Sequence, residues 1–163
     1  TIWHSEMVAM NQMVKRLLDL RIDIFADMDS KEILSAIAVI GRKTYRTELS
    51  ARTHLIIGDE PEEVGGTDLG PRPGDFVRMA LASCTAITLR MYADRKKFDV
   101  DRIQVKVSNG PFEGKTSYTS EIEVTGSLDD GQRERMIQIA KLCPVHKILT
   151  HPIEIQTRLS LVP

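Results

Sequence analysis

Residues 75–97 contain neither glycine nor proline, whereas the preceding residues 58–74 hold five glycines and three prolines. In the first of these segments, apolar residues recur at intervals of three and four positions, which is the spacing of one helix face. A segment as rich in glycine and proline as the second favours a long ordered loop. The sequence therefore predicts a long central helix, entered through a loop of the kind that often serves a site.

Short segments with the alternation of β-strands lie on both sides of the predicted helix. Three of them precede the loop and indicate an antiparallel meander: residues 33–40, 44–50 and 53–57. Two more follow the helix, at residues 100–108 and 117–124, and the turn Asn109-Gly110-Pro111 between them is typical of a β-hairpin.

The C-terminal part of the chain predicts a second helix and a last strand. Residues 129–142 have helical spacing, Pro144 interrupts the pattern, and residues 153–161 alternate again. Antiparallel hairpins grouped around helices indicate an α+β fold, not the alternating order that builds a parallel sheet. We therefore expect antiparallel sheets of about six strands around two central helices.

Residues 1–30 are predicted to form an N-terminal helical extension to a domain made of residues 31–163. Residues 5–21 place apolar side chains at helical intervals among charged ones, which is typical of an amphipathic helix. The extension carries Glu6 and lacks a basic stretch before an apolar core, so it does not resemble a signal peptide. A cytoplasmic protein is the expectation that follows.

The charge balance argues against two classes of partner. Lys and Arg number 22 and Asp and Glu number 23, which gives a formal net charge of -1 over 163 residues. Such a chain has no field of one sign to attract nucleic acid or an anionic membrane. No apolar run approaches the roughly 20 residues that a membrane span needs.

Two cysteines are the main candidates for chemistry: Cys84 on the predicted central helix and Cys143 directly before Pro144. Such a pair can form a structural disulfide or act as paired thiols, and the count does not decide between them. Cys84 on an apolar helix face also fits an ordinary core residue. Cys143 differs, because Pro144 suits the first position of a helix, whose N-terminal N–H groups lower a nearby thiol pKa.

A metal site is a weaker interpretation of the same residues. His146 follows Cys143 by three positions, so these two residues and Cys84 could in principle bind zinc, but structural zinc takes four ligands. We expect no metal. The acidic residues 59–63 fit a solvated rim, and no chemistry is assigned to them or to the remaining histidines His4, His54 and His151.

The segment GGTDLGPRPGDFVRMALASCTAITLRMYADRKKF, followed by AKLCPVHKIL, resembles the signature of the OsmC and organic-hydroperoxide-resistance (Ohr) superfamily. The resemblance combines a Gly-Pro-x-Pro loop, a helix with Ala-x-x-Cys-Thr and a second helix that ends at Cys-Pro. It extends over residues 32–161. It implies an intertwined homodimer of α+β fold, with the central helices packed together and two active sites at the subunit interface.

The resemblance also implies a chemistry for the two cysteines. Cys84 would attack the O–O bond of an organic hydroperoxide as a thiolate, and Cys143 would resolve the resulting sulfenic acid as a disulfide. No bound cofactor is expected. An external dithiol, such as a lipoyl group on a partner protein, would reduce the disulfide.

The chain departs from the Ohr pattern at the acidic position. Ohr-like members have a glutamate where this chain has Gly74, and Asp75 stands next to it as a substitute acid. The chain therefore resembles the broad OsmC-like branch more than Ohr itself. An arginine stabilises the thiolate in the family, and both Arg42 and Arg46 match it, with Arg42 slightly preferred.

A different class of function remains open at this point. The family's fold could serve as a noncatalytic module that binds a small apolar ligand at the dimer interface, and Gly74 favours that interpretation. The two hypotheses differ in one observable, which is whether peroxide drives disulfide formation between Cys84 and Cys143.

Overall fold

The computed structural model describes residues 34–111, 114 and 116–161. The predicted helical extension of residues 1–30 lies outside them, and its boundary stays a prediction. Residues 36–163 group as one compact unit. Along the chain the elements are β1 (Ala36–Ile40), β2 (Thr47–Ala51), β3 (His54–Gly58), α1 (Pro73–Lys96), β4 (Asp99–Asn109), β5 (Tyr118–Ser127), α2 (Asp130–Ala140) and α3 (Pro144–Thr150).

The strands form two antiparallel sheets. The first has the order β1-β2-β3 and the second pairs β4 with β5, so the predicted meander and hairpin are confirmed. The β4–β5 register shifts between Val100 and Arg102. Gly126 lies opposite this irregularity with φ 138°, and a Cβ there would approach the Asp99 carbonyl oxygen to 2.2 Å. Only glycine fits that position.

The central helix α1 begins two residues earlier than its glycine-free core suggested. Pro73 occupies the first helical position, where its missing N–H removes no hydrogen bond. The Asp75 carboxylate caps this end by accepting a hydrogen bond from the backbone N–H of Arg72. The helix ends at Lys97, which takes up a left-handed conformation with φ 56°.

The core lies between α1 and the elements that follow it. Helix α1 packs against β4, α2 and α3. Leu89 and Ile139 have no exposed surface, and the burial of such a side chain contributes roughly 2 kcal/mol. Tyr92 stacks edge-on against Phe98 with the ring centroids 5.7 Å apart. These contacts fix the part of α1 that carries Cys84.

The predicted sixth strand is not formed. Residues 153–161 have the apolar alternation expected of a strand, but they join no ladder among the described residues. Ile155 is 82% exposed and Leu159 is 89% exposed. A strand needs a neighbouring edge for its backbone hydrogen bonds. The described chain therefore has five strands, one fewer than predicted.

Candidate thiol site

Two separate helices bring the cysteines together. Cys84 lies in the middle of α1, and Cys143 is the residue that precedes the first turn of α3, with Pro144 at the first helical position as predicted. The Cys84 thiol lies within hydrogen-bonding reach of the Cys143 side chain, which affects its pKa. Both cysteines are free. The tertiary fold thus pairs two thiols that lie far apart in sequence.

The two thiols differ in access to solvent. Cys143 is fully buried, whereas Cys84 is only partly buried. A reagent that arrives from solvent therefore reaches the Cys84 sulfur first. Cys143 has no exposed surface in the described chain.

The environment of Cys84 favours the neutral thiol. Burial raises its pKa most, and the hydrogen bond that the neutral Cys84 S–H can donate to Cys143 raises it further. The backbone N–H of Val145 and the side chain of Thr88 act in the opposite direction, because they stabilise the thiolate. The enzyme hypothesis expected a lowered pKa at this thiol. Within the single chain the pKa of Cys84 is raised, because desolvation outweighs the two hydrogen bonds.

The start of α3 acts on a different cysteine from the one the sequence suggested. Helix N-terminal N–H groups were expected to stabilise the Cys143 thiolate. In the structure, the N–H of Val145 reaches the sulfur of Cys84. Cys143, the residue that precedes α3, forms no side-chain cap hydrogen bond.

Asp75, the candidate substitute acid, serves as a helix cap. Its carboxylate accepts hydrogen bonds from the backbone N–H of Arg72 at 3.0 Å and from the Arg78 guanidinium. The Arg72 N–H, followed by the Arg78 side chain, lowers the pKa of Asp75. Nine residues of helix separate it from Cys84, about 13 Å along the axis. Within one chain, Asp75 therefore does not contact the thiol.

The two candidate arginines lie at the β1–β2 connection. Arg42 is exposed in the turn, and Arg46 pairs with Glu48 at 2.9 Å. The groups that set the pKa of Cys84 are burial, Cys143, Val145 and Thr88, and neither arginine is among them. The contact between an arginine and a thiol stays a prediction, and the structure does not favour Arg42 over Arg46.

A cavity of about 320 Å³ is lined by residues that are close in sequence to the two cysteines, although neither cysteine lines it. It includes Thr85, the residue after Cys84, together with Lys141 and His146, which lie on either side of Cys143 in sequence. Leu81, Tyr118, Ile122 and Leu149 also line the cavity. The cavity therefore offers apolar walls with a few polar groups, which is typical of a site for a small organic molecule.

The loop before α1 is held together by a buried aspartate, Asp59, which the sequence analysis did not predict. Asp59 is only 2% exposed, and its carboxylate accepts the Thr67 hydroxyl at 2.6 Å and the backbone N–H groups of Glu60, Thr67 and Leu69. The Thr67 hydroxyl is the main reason that the pKa of Asp59 is lowered. One signal was available, since an acid eight residues before a threonine in a glycine-rich loop can fix a turn.

Two further findings concern metals and membranes. No group of three or more His, Cys, Asp or Glu side chains in the described ranges is arranged to hold a metal ion. None of the helices in the described part of the chain is both long and apolar enough to cross a membrane.

Fold and site together define a class: an α+β protein in which a partly exposed thiol on a central helix meets a buried thiol from a second helix. A family model described as OsmC-like protein matches residues 66–158. Because that match covers more than half of the chain, the protein belongs to the OsmC-like family. The superfamily resemblance stated from the sequence is thereby confirmed.

Solved structures share the fold at low sequence identity. An OsmC-like protein from Mycoplasma pneumoniae is 18% identical, with 73% of this chain and 88% of that chain covered and a TM-score of 0.61. An organic hydroperoxide resistance protein from Elizabethkingia anophelis is 16% identical, with 78% and 94% covered and a TM-score of 0.58. An OsmC-like protein of unknown function from Vibrio cholerae is 16% identical, with 73% and 94% covered and a TM-score of 0.59. No curated protein sequence matches the chain.

Proposed function

We propose that this protein is a thiol-dependent peroxidase that reduces organic hydroperoxides with Cys84 and Cys143. The observation that carries the proposal is the contact between a partly exposed thiol and a fully buried one, from two helices, with both thiols free. A structural core cysteine needs no such partner. The names of several structural relatives, including the Elizabethkingia protein, point in the same direction.

The proposed reaction balances in three steps. The Cys84 thiolate attacks the outer oxygen of R–O–O–H, the O–O bond breaks, and the alkoxide takes a proton to leave as R–OH, so that Cys84 becomes a sulfenic acid. The Cys143 thiol then attacks the Cys84 sulfur, which releases water and forms a disulfide. An external dithiol gives two electrons and two protons to restore both thiols.

The organic part of the peroxide is proposed to lie in the cavity that includes Thr85. Its apolar side chains Leu81, Ile122 and Leu149 suit a hydrocarbon group, and hydrogen peroxide would gain nothing from them. We therefore expect organic hydroperoxides to be preferred over hydrogen peroxide.

A homodimer is part of the proposal. Four apolar side chains in residues 152–161 are more than half exposed in the described chain: Ile153, Ile155, Leu159 and Leu161. Ile87 and Met91 on α1 are also exposed, on the side of the helix next to Cys84. A second copy of the chain would supply a sheet edge with which residues 152–161 could pair, and it would cover the exposed side of α1. This agrees with the homodimer that the family resemblance implies.

Light scattering during size-exclusion chromatography tests the dimer. We expect twice the chain mass for the wild type and a monomer for Leu159→Asp, because a charge would replace an apolar contact. Gln156→Asp is the matched control, since it changes the opposite, polar side of the same segment. A monomeric wild type would contradict the dimer and leave the thiol chemistry unaffected.

The reductant and compartment complete the proposal. A dithiol such as dihydrolipoamide, or a lipoyl group on a protein, is the proposed electron donor, and a reducing compartment such as the cytoplasm would keep both cysteines ready for reaction. No bound cofactor is required by the three steps.

Peroxide consumption by the reduced protein tests the activity. Cumene hydroperoxide, tert-butyl hydroperoxide and hydrogen peroxide are supplied with dihydrolipoamide or dithiothreitol, and intact mass follows the disulfide. We expect turnover with the organic peroxides, none with Cys84→Ser, and a single oxidation by Cys143→Ser that stops at the sulfenic acid or beyond. Normal turnover by Cys84→Ser would refute the proposal.

One observation favours the alternative of a noncatalytic binding module. The raised pKa of Cys84 reduces the thiolate fraction near neutral pH, and no arginine in the described part of the chain is among the groups that lower this pKa. If both thiols stay reduced in excess organic peroxide, the cavity would be assigned to the binding of a small apolar ligand.

A further inference from the structure

Thr88 is a buried polar residue next to the sulfur of Cys84. It lies four residues after Cys84 on α1, which places the two side chains on neighbouring positions of one helix face. Thr88 is only 2% exposed, and its side chain lies close enough to the Cys84 sulfur to lower the pKa of that thiol. A buried hydroxyl needs a partner, and here that partner is the atom proposed to react.

We propose that the Thr88 hydroxyl is the side-chain group of this chain that stabilises the Cys84 thiolate and keeps its sulfur beside Cys143. The inference rests on the proposed use of Cys84 as the nucleophile. It gives Thr88 the role that the sequence had assigned to Arg42 or Arg46.

The chemistry of a hydroxyl suits this position. Next to a neutral thiol, the Thr88 oxygen can accept the S–H; once the thiol is deprotonated, the same hydroxyl can rotate and donate to the sulfur. Its effect on the pKa of Cys84 is a lowering one, opposed by burial and by Cys143.

The expected effect is limited by a second donor. The backbone N–H of Val145 also stabilises the thiolate, and no side-chain substitution at position 88 removes it. The loss of one hydrogen bond to a charged sulfur should therefore reduce the thiolate fraction about tenfold at a fixed pH, which equals a rise of about one pKa unit.

Site-resolved alkylation tests the inference without any peroxide. The reduced full-length protein is treated with iodoacetamide over a range of pH, and the rate at Cys84 is followed by peptide mass spectrometry. Thr88→Val keeps the size of the side chain and removes the hydroxyl, so we expect the pH midpoint to move upward by about one unit. Thr88→Ser keeps the hydroxyl and should retain the wild-type midpoint.

A second pair of variants guards against a folding defect in Thr88→Val. Thr88→Ala and Thr88→Ser leave similar gaps in the core and differ only in the hydroxyl, so their midpoints should differ in the same direction. Equal midpoints in that pair, or a wild-type midpoint in a folded Thr88→Val, would overturn the inference. Because alkylation needs no turnover, a failure of the peroxidase proposal would show separately, as thiols that titrate as expected but consume no peroxide.

Discussion

Oxidation of Cys84 and Cys143 to a disulfide should stabilise the folded chain by an amount that follows from the sequence separation of the contact. The bridge would close a loop of about 60 residues, for which loop-closure entropy corresponds to about 4 kcal/mol of unfolding free energy. The two thiols already lie within hydrogen-bonding reach in the reduced protein, so little rearrangement is needed to join them. Allowing for some strain at the fully buried Cys143, we expect a gain of about 2–4 kcal/mol.

Urea unfolding of the oxidised and reduced protein, at equal chain concentration, measures this gain. With a denaturant slope of about 2 kcal/mol/M, the midpoint should rise by about 1–2 M on oxidation. Cys143→Ser is the control, because peroxide treatment cannot form the bridge and should not raise its midpoint. A disulfide-bonded wild type with an unchanged or lower midpoint would refute the argument, since the two sulfurs would then have been forced together.

Three further outcomes follow from the described contacts. Because burial raises the pKa of Cys84, its alkylation rate should still be increasing at pH 9.0, the ordinary pKa of a cysteine thiol. The folded state should lose stability as the pH rises beyond that value, since the unfolded chain releases the proton first. An alkylation rate that levels off near neutral pH would contradict the raised pKa. Gly66→Ala should disrupt the loop before α1, because the added Cβ would lie 1.7 Å from the Glu60 carbonyl oxygen. Gly74→Ala is the control, since its Cβ would meet no backbone atom. Limited proteolysis compares the two variants, and equal resistance to cleavage would count against the loop geometry. Ile139→Ala should lower the unfolding free energy by about 2–5 kcal/mol in chemical denaturation, because this side chain is fully buried, and a loss well below 1 kcal/mol would show that the site can collapse around the gap.

The local elements were predictable because they depend on neighbours in sequence. The long helix α1 follows from a segment free of glycine and proline, and the β4–β5 hairpin follows from alternation around Asn109-Gly110-Pro111. The glycine- and proline-rich composition of residues 58–74 correctly predicted a loop. Its anchoring by Asp59 was missed, since an acidic run usually indicates solvent exposure and the buried carboxylate depends on four donors folded around it.

The sequence by itself determined which residue types were available: two cysteines, one on a long helix and one before Pro144, and a motif that resembles the OsmC and Ohr superfamily. Tertiary structure decided that the two thiols meet and that Cys84 is the accessible one. It also decided that the Val145 N–H and the Thr88 side chain contact the Cys84 sulfur, while Asp75 caps α1. These features could not be deduced from spacing, because a contact between helices depends on how their faces pack and the pKa of a thiol depends on how much water that packing removes.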